Sequence, residues 1–234
     1  MSKLNLRVIL VEPKYEGNIG SIARVMKNFG FEELVLVKPP QLGDFARAMA
    51  SHAFDVLEKA RKVDTLDEAI MDVSLIIATT AVKSGKCEFK RRPVLTPEQL
   101  RKKLEGKKGK IALLFGREDT GLINEVIEKC DIVVNIPANP VYPVMNLAQA
   151  AGVILYELSK VEGGEIELAS HRSLEQFYSH IEQLLEKVEY PKHKRRKTML
   201  MLRRICGRAE LTEQEIFTLH GILRSIEWML EHKK

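Results

Sequence analysis

The sequence is poor in cysteine and has no long apolar run, and both absences exclude whole classes of protein. Its three cysteines, Cys87, Cys130 and Cys206, lie far apart and form no CxxC pair, so we expect neither a disulfide framework nor a zinc site. No run reaches the roughly 18 apolar residues of a membrane span, and the amino terminus lacks the layout of a signal peptide. The sequence therefore predicts a cytoplasmic protein with reduced thiols that does not cross a membrane.

Familiar catalytic and nucleotide-binding motifs are also absent. No G-x-G-x-x-G follows a predicted strand and no G-x-x-x-x-G-K-[ST] occurs, which argues against a dinucleotide site and a P-loop. The nucleophile elbow G-x-S-x-G is missing as well. The six histidines are scattered and none follows a predicted strand, so a histidine-based hydrolase is disfavoured and no metal is expected.

What the sequence does have is clustered positive charge. The net charge is +5 and the isoelectric point is about 9.0, which is a modest excess. Two basic clusters lie at residues 83–92 and 192–197. A charge run is usually a solvated surface, but two of them in predicted loops or at helix starts favour a polyanionic partner. The candidate contacts to such a partner are Lys86, Arg91, Lys194, Arg195 and Arg196.

Strands and helices alternate over the first two thirds of the chain. Short apolar runs predict strands at residues 6–11, 34–37, 74–80, 111–115 and 132–136. Helical periodicity between them predicts an α/β domain over residues 1–160, with a mainly parallel sheet and flanking helices. Gly163-Gly164 marks a linker at residues 161–170, and a small all-helical module of about three helices follows at 171–234.

Capping residues predict where the helices begin and end. Asn18 is placed as the N-cap of a first helix that stops at Gly30, and residues 44–61 are predicted as one helix. The remaining capping signals are Thr65, Thr96, Asn146, Ser173-x-x-Gln176 and Thr212-x-x-Glu215.

Ligands of an open parallel sheet bind at the carboxyl ends of the strands, so the polar residues at those ends are the candidates for a site. They are Glu12, Asn18, Gly20 and Arg24 after the first strand, Thr79, Thr80 and Ala81 after the third, residues 116–121 after the fourth, and Asn146 after the fifth. Gly116 permits close backbone approach to a ligand. Arg24 is either a surface arginine or a guanidinium that clamps a phosphate, and Glu118 is either a solvated turn residue or a functional one.

Residues 136–157 combine three prolines with a helix of small side chains. Proline fixes φ and lacks an N–H, so the segment between residues 137 and 143 is predicted as a stiff, extended loop. The helix after it, opened by Asn146, suits close approach to another backbone or to a ligand. An ordinary strand–loop–helix connection and a ligand-wrapping loop are both compatible with this pattern.

Three segments, each after a predicted strand, carry a family resemblance. The segments N-I-G-S-I-A-R (Asn18–Arg24), L-L-F-G-R-E-D-T-G-L (Leu113–Leu122) and I-P…M-N-L-A-Q-A (Ile136–Ala150) resemble the motifs of the SPOUT superfamily of RNA methyltransferases. They are most similar to those of its TrmH-type 2′-O-methyltransferases, and the resemblance covers residues 4–160. The segment Arg203–Ile216 resembles the C-terminal extension of TrmJ-type tRNA enzymes.

This resemblance implies a deep trefoil knot in the sheet, S-adenosylmethionine bound in the knot, and a homodimer with shared active sites. The cofactor-binding residues that it implies are Thr79, Thr80, Ala81, Gly116, Ile136, Val144, Met145 and Asn146. Arg24 would act on the partner's cofactor, while Asn18, Glu118 and Asn146 would order the substrate ribose. One departure is Val144, where many relatives carry a serine to which a substrate-side role is assigned.

The implied activity is methylation of a ribose 2′-hydroxyl in tRNA, at anticodon-loop nucleotide 32 as in TrmJ-type enzymes. Two alternatives stay open at this point. Related catalytic domains methylate rRNA, and a non-catalytic RNA-binding relative would keep the fold without the chemistry. The presence of Asn18, Arg24, Glu118 and Asn146 argues against the second alternative.

Overall fold

The structure is a computed structural model that describes residues 4–81, 94–164 and 166–232. Its strands are β1 (Leu6–Val11), β2 (Glu33–Val37), β3 (Arg61–Val63), β4 (Leu75–Thr80), β5 (Val94–Leu95), β6 (Lys107–Lys108), β7 (Ile111–Phe115), β8 (Ile132–Asn135) and β9 (Ile166–Glu167). A seven-stranded sheet has the order β3-β2-β1-β7-β4-β8-β5, and β6 pairs with β9 separately. Every pairing between these strands is parallel.

Helices cover both faces of the sheet and form the carboxyl-terminal part. They are α1 (Glu16–Asn28), α2 (Asp44–Ala50), α3 (Phe54–Glu58), α4 (Leu66–Ile70), α5 (Pro97–Leu104), α6 (Asn124–Glu128), α7 (Leu147–Leu158), α8 (His171–Lys187), α9 (Lys192–Ala209) and α10 (Glu213–His232). The predicted α/β fold with a parallel sheet and a helical carboxyl-terminal part is confirmed. No described helix is both long enough and apolar enough to cross a membrane.

The central strands are apolar on both faces, because each face packs against helices. In β1, Val8 and Leu10 join the core beneath α1, α5 and α7, whereas Ile9 joins the core beneath α4 and α6. Both cores exclude water almost completely, since all three side chains are fully buried. Burial on two faces explains the continuous apolar runs from which these strands were predicted.

Two predicted helix starts are wrong, and in both cases another residue takes the cap. Helix α1 begins at Glu16 with Tyr15 as its N-cap, so Asn18 lies inside the first turn. The N-cap of α8 is Ser170, whose side chain accepts a hydrogen bond from the Ser173 amide. The other capping predictions at Thr65, Thr96, Asn146 and Thr212 are confirmed, as is Gly30 with its φ of +70°.

The single helix predicted over residues 44–61 is also wrong. The backbone at Ser51 turns to a φ of 50°, which separates α2 from a 3-10 turn at Ser51–Ala53 and from α3. Residue 61 then starts β3, a three-residue strand at the sheet edge. A strand this short carries no periodicity, so the pattern could not reveal it.

Arg7 is a buried charge inside a strand that was predicted to be almost wholly apolar. Its guanidinium donates hydrogen bonds to Glu33 Oε1 at 2.8 Å, to Asp72 Oδ2 at 2.9 Å and to the carbonyl of Ala69 at 2.6 Å. Hydrogen bonds from Arg7 hold the pKa of Asp72 well below its usual range, and Lys110 adds to the effect. Its many partners explain how β1 tolerates a charge in the sheet.

The glycine pair predicted as a linker lies beside the small β6–β9 sheet. A Cβ on Gly164 would come within 1.8 Å of the Gly106 carbonyl oxygen, so the chain passes directly against its own backbone there. Helices α8, α9 and α10 follow and share an apolar core. Its buried members include Phe177, Tyr178, Met199, Cys206 and Ile216.

Candidate active site

A pocket of about 620 Å³ opens at the carboxyl end of the sheet. The strand order places β7, β4 and β8 side by side, so the loops that follow them meet around this pocket. The predicted cofactor-binding residues at its walls are Thr79, Thr80, Ala81, Gly116, Ile136, Val144 and Met145. Asn146 is not among the lining residues and lies at the start of the next helix.

Two side-chain hydrogen bonds hold the strand ends beneath the pocket. Thr79 donates from Oγ1 to the carbonyl of Leu114 at 2.9 Å, which joins β4 to β7. Asn135 donates from Nδ2 to the carbonyl of Thr80 at 2.8 Å, which joins β8 to β4. Both hydrogen bonds cross between neighbouring strands. They therefore fix the ends of β7, β4 and β8, which form the floor of the pocket, relative to one another.

Sequence reasoning missed Asn135 and the apolar walls of the pocket. Asn135 is a buried polar residue at the end of an apolar strand, and that position was the available signal. Leu122 and Leu147 form part of the walls, and Ala150 and Ile154 contribute from one side of α7. These side chains give the pocket an apolar lining that suits a flat, apolar ring.

Position 116 has to be glycine because a neighbouring part of the backbone leaves no room for a side chain. A Cβ at this position would lie 2.2 Å from the carbonyl carbon of Gly121 and 2.3 Å from the amide nitrogen of Leu122. The loop after β7 folds back here, and Arg117 pairs with Gly121 in an antiparallel bridge. The close approach expected at Gly116 is therefore made by the protein's own backbone at the pocket wall.

Glu118, Asn18 and Asn146 form one chain of hydrogen bonds beside the pocket. Asn18 Nδ2 donates to Glu118 Oε1 at 2.8 Å, and Asn146 Nδ2 donates to Asn18 Oδ1 at 3.1 Å. The structure thus brings together three of the residues that the sequence placed in the site. They come from α1, from the loop after β7 and from the start of α7.

Glu118 also holds the loop that leads into α1. Its carboxylate accepts hydrogen bonds from the backbone amides of Lys14 at 2.8 Å and Tyr15 at 3.2 Å. Next to it, Asp119 pairs with Arg117 at 3.1 Å, and this hydrogen bond lowers the pKa of the Asp119 carboxyl well below its usual range. Glu118 is therefore a structural bridge between the loop after β7 and the first helix.

Arg24 does not join this group within its own chain. It is exposed on α1 and is not a lining residue of the pocket. Six residues along a helix place it roughly 9 Å along the axis and about 120° around it from Asn18. Within the residues that the structure describes, its guanidinium forms no hydrogen bond or ion pair.

The basic residues that were predicted to contact a polyanion differ in their exposure and in their contacts within the protein. Lys86 and Arg91 lie outside the described residues. Lys194 is exposed on α9. The Arg196 side chain is 83% exposed and makes a long ion pair, with Nη2 3.9 Å from Glu128 Oε2. Arg195 is instead tied to its own module, because it donates to the carbonyl of Tyr190 at 3.0 Å and to Glu186 at 2.9 Å. Among the described residues no group of three or more His, Cys, Asp and Glu side chains is arranged to hold a metal ion.

Known protein families match both the α/β part and the helical part of the chain. The SpoU rRNA methylase family matches residues 5–156, and the C-terminal domain of the tRNA methyltransferase TrmJ matches residues 172–234. The tRNA (cytidine-2′-O-)-methyltransferase TrmJ of Methanocaldococcus jannaschii is 42% identical over 222 residues, covering 92% of this chain and 96% of that protein. The tRNA (cytidine/uridine-2′-O-)-methyltransferase TrmJ of Klebsiella pneumoniae is 40% identical over 240 residues, covering 95% and 96%.

A solved structure shows the same fold over most of the chain. The crystal structure of TrmJ from Z. mobilis ZM4 superposes with a TM-score of 0.79 at 34% identity, covering 94% of this chain and 98% of that chain. The resemblance to RNA methylases that the motifs carried is thereby confirmed. The chain belongs to the SpoU rRNA methylase family.

Proposed function

We propose that this protein transfers a methyl group from S-adenosylmethionine to a ribose 2′-hydroxyl of tRNA, at anticodon-loop nucleotide 32. The observation that carries the proposal is the pocket beside the Glu118–Asn18–Asn146 chain, where the three family motifs meet. The names of the relatives support tRNA as the substrate, because both describe tRNA 2′-O-methyltransferases. The match of residues 172–234 to the TrmJ C-terminal domain supports the same substrate class.

The pocket fits the cofactor in size and in the chemistry of its walls. Its volume of about 620 Å³ lies within the range of small-molecule sites, roughly 300–1,000 Å³. Leu122, Leu147 and Ile154 offer apolar surface for an adenine ring, and the backbone around Ile136 and Met145 offers amide and carbonyl groups. When bound, S-adenosylmethionine supplies a methyl group on a positively charged sulfonium.

The protein's own residues would align the ribose and stabilise charge. A 2′-hydroxyl has to be oriented toward the methyl carbon and has to lose its proton. Asn18 and Asn146 are fixed by the hydrogen-bond chain, so they present rigid polar groups to a ribose beside the pocket. Arginine is a poor base because its pKa exceeds about 12, so Arg24 would orient an RNA phosphate instead. Val144 offers no proton acceptor, which leaves that phosphate as the acceptor in this proposal.

Arg24 requires a second copy of the chain in this proposal. It is exposed on α1 and does not line the pocket of its own protomer, so we assign it to the pocket of the partner. Helix α1 packs between α2 and α7, and these two helices expose Phe45, Met49, Val153 and Tyr156. An apolar surface of this kind supports a homodimer through these helices. The trefoil knot implied by the motifs belongs to the same proposal, with the proline loop wrapping the cofactor.

The domain boundaries complete the proposal. Residues 1–160 would form the methyltransferase domain, residues 161–170 the linker, and residues 171–234 the module that binds RNA and supports the dimer. The exposed Lys194 and Arg196 on α9 support RNA contact by this module. The rRNA alternative stays in the test because the matching family is described as an rRNA methylase family.

Methyl transfer from labelled S-adenosylmethionine to tRNA and to rRNA tests the proposal. We expect label in tRNA, and mapping of ribose methylation should place it at nucleotide 32. Label in rRNA alone would favour the alternative substrate. Binding of RNA without any transfer would overturn the enzymatic function and leave a binding protein.

A further inference from the structure

A buried carboxylate lies where the helical module meets the α/β part, and the proposed chemistry does not use it. Glu210 follows α9 and its side chain is only 6% exposed. Its oxygens lie 2.6 Å from Lys103 Nζ on α5 and 2.9 Å from Lys107 Nζ on β6. The approach of Lys103 is ionic and lacks the geometry of a directed hydrogen bond. One carboxylate therefore joins two cations of the neighbouring layer to the end of α9.

The backbone at Glu210 is unfavourable for glutamate. Its φ of 53° and ψ of 57° are left-handed, a conformation that usually takes glycine at the end of a helix. A negative side chain at a helix carboxyl terminus also meets the like partial charge of the helix dipole. Glycine would serve this turn better by both criteria. A glutamate in this conformation therefore points to a role for the side chain itself.

The surrounding turn, residues 209–212, is fixed to the rest of the protein on both sides. The carbonyl of Leu211 accepts a hydrogen bond from the Ala169 amide at 2.7 Å, and Thr212 pairs with Leu168 in an antiparallel bridge. Glu213 Oε1 accepts a hydrogen bond from the Ser170 amide at 2.7 Å. The carboxyl end of α9 is thus attached to the segment that leads out of the α/β part.

Close packing also holds the last turns of α9. A Cβ at Gly207 would come within 2.9 Å of Asp131 Oδ1, which means that the helix backbone approaches the loop before β8 directly. Asp131 in turn accepts a hydrogen bond from the Ile76 amide at 2.8 Å. The end of α9 therefore packs against Asp131, which directly precedes β8 and is hydrogen-bonded to β4.

Helix α9 has an exposed basic end near its start, formed by Lys194 and Arg196, and Glu210 after its other end. Its 18 residues span roughly 27 Å, from the exposed Lys194 and Arg196 near the start to Glu210 after the last turn. Near the start of α9, Arg196 Nη2 approaches Glu128 Oε2 of α6 at 3.9 Å, a longer ion pair than the two made by Glu210. The shorter, buried contacts at Glu210 therefore do more to set the direction of the helix. A small rotation at Glu210 would move the basic end by several ångströms relative to the pocket.

We propose that Glu210 is a positioning residue that directs the basic end of α9 toward the part of an RNA substrate outside the methylated loop. The proposal rests on the proposed function for the identity of the RNA. Glu210 acts through the Lys103 and Lys107 pairs, and it touches neither the cofactor pocket nor the substrate ribose. Its loss should weaken binding of a full-length tRNA and spare a short stem-loop that cannot reach α9.

Binding measurements on the full chain separate this role from a simple contribution to stability. Fluorescence anisotropy would give the Kd of full-length tRNA and of an isolated anticodon stem-loop, for wild type, Glu210→Gln and Glu210→Gly. Glu210→Gly removes the carboxylate and also removes the backbone strain, because glycine adopts a left-handed conformation readily. It therefore provides a folded variant even if Glu210→Gln is unstable. Glu231→Gln is the matched control, since Glu231 pairs with Lys187 inside the helical module.

We expect both Glu210 variants to bind full-length tRNA roughly 5-fold or more weakly, with an unchanged Kd for the stem-loop and for S-adenosylmethionine. Equal weakening for both RNAs would reduce Glu210 to a structural residue and overturn the proposal, as would unchanged binding of both. The proposed function is judged separately. Wild-type protein that binds tRNA but transfers no methyl group would refute the activity, and the Kd comparison would still decide the role of Glu210.

Discussion

Asn146 donates a hydrogen bond from Nδ2 to Oδ1 of Asn18 at 3.1 Å, although 128 positions separate the two residues. The direction of this bond follows from its neighbours. The Glu118 carboxylate can only accept, so Asn18 turns its NH₂ group toward Glu118 and its oxygen toward Asn146. Asn146 turns its own oxygen to the Ala148 amide at 2.9 Å, which caps α7. The chain of bonds therefore fixes two helix starts and one loop against each other.

Replacing Asn18 tests whether this chain positions the substrate. Asn18→Asp removes the donor to Glu118 and brings a second carboxylate within hydrogen-bond distance of the first. Loss of a hydrogen bond to a charged group costs roughly 1.5–3 kcal/mol, so we expect kcat/KM for tRNA to fall at least ~10-fold. Cofactor affinity, measured by calorimetry, should change little.

Ser21→Ala is the matched control for Asn18→Asp. Ser21 lies one turn further along α1, and its hydroxyl donates to the Gly17 carbonyl at 2.8 Å within the same helix. This variant should retain full methyl transfer. Wild-type kcat/KM in Asn18→Asp would show that the hydrogen-bond chain has no part in catalysis.

Arg24 gives a sharper test, because its proposed role lies across a dimer. Arg24→Ala should lose methyl transfer and keep cofactor binding, since Arg24 does not line the pocket of its own chain. Mixed dimers of Arg24→Ala and Asn18→Asp subunits should regain activity, because one of their two sites combines an intact pocket with an intact Arg24. Mixed dimers as inactive as either parent would mean that Arg24 acts within its own subunit.

Two glycines of the site region should respond to alanine in opposite ways. The Cβ of Gly116→Ala would lie 2.2 Å from the Gly121 backbone, so the loop has to shift. We expect a loss of ~1–3 kcal/mol in the free energy of unfolding, together with weaker cofactor binding. Gly152→Ala meets only Val25 Cγ1 at 4.0 Å and should gain about 0.5–1 kcal/mol as a helix residue.

Denaturant unfolding with and without cofactor measures both effects. The comparison is matched, because each variant adds one methyl group to a glycine near the pocket. Equal stability of Gly116→Ala and wild type would show that the loop after β7 yields at little cost. In that case Gly116 would matter for the cofactor alone.

The contrast between Asn18 and Asn146 shows what local patterns can predict. Both were predicted as N-caps, and only Asn146 is one. The partners of Asn146, the amides of Ala148 and Gln149, lie within its own first turn. Asn18 instead binds Glu118, 100 positions away, and such a partner is invisible to a rule that reads neighbouring residues. The motifs placed Asn18 in the site, but they did not supply this contact.

In the sheet, the central strands could be predicted from local sequence and the edge strands could not. β1 and β7 were predicted because burial on both faces demands continuous apolar runs. β3 and β5 have three and two residues and lie at the two edges, so their sequences record little of their position. Arg7 was missed for a related reason, since its charge partners on β2 and after α4 meet it only in the folded chain.

The histidines between α8 and α10 predict a pH dependence of stability. Burial lowers the pKa of His220 below its ordinary value of 6.5, and the neighbouring His180 and Arg224 lower it further. Between the lowered pKa and 6.5 the unfolded chain binds more protons than the folded one. Stability should therefore be lost as the pH falls below about 6.5 and should be fully present above it.

Unfolding free energies between pH 5 and pH 8 test this dependence. His220→Gln should reduce the loss of stability toward acid, because it removes one group whose pKa is lower in the folded chain. His171, whose pKa burial also lowers, would account for part of the loss that remains. His193→Gln is the control, since His193 is exposed on α9. Parallel curves for wild type and His220→Gln would assign the acid sensitivity to other groups.

The basic residues of α9 should separate into those that bind RNA and one that supports the helix. Lys194 and Arg196 are exposed, so alanine at both should weaken tRNA binding and lower the slope of log Kd against log salt by roughly 0.7–0.9 per lost phosphate contact. The Arg195 side chain is only 18% exposed and is held by Glu186 and the Tyr190 carbonyl. Arg195→Ala should therefore leave the salt slope unchanged and lower the stability of the helical module. A reduced slope in Arg195→Ala, with none in the Lys194 and Arg196 variant, would reverse the assignment, because it would mean that RNA displaces Glu186 from Arg195.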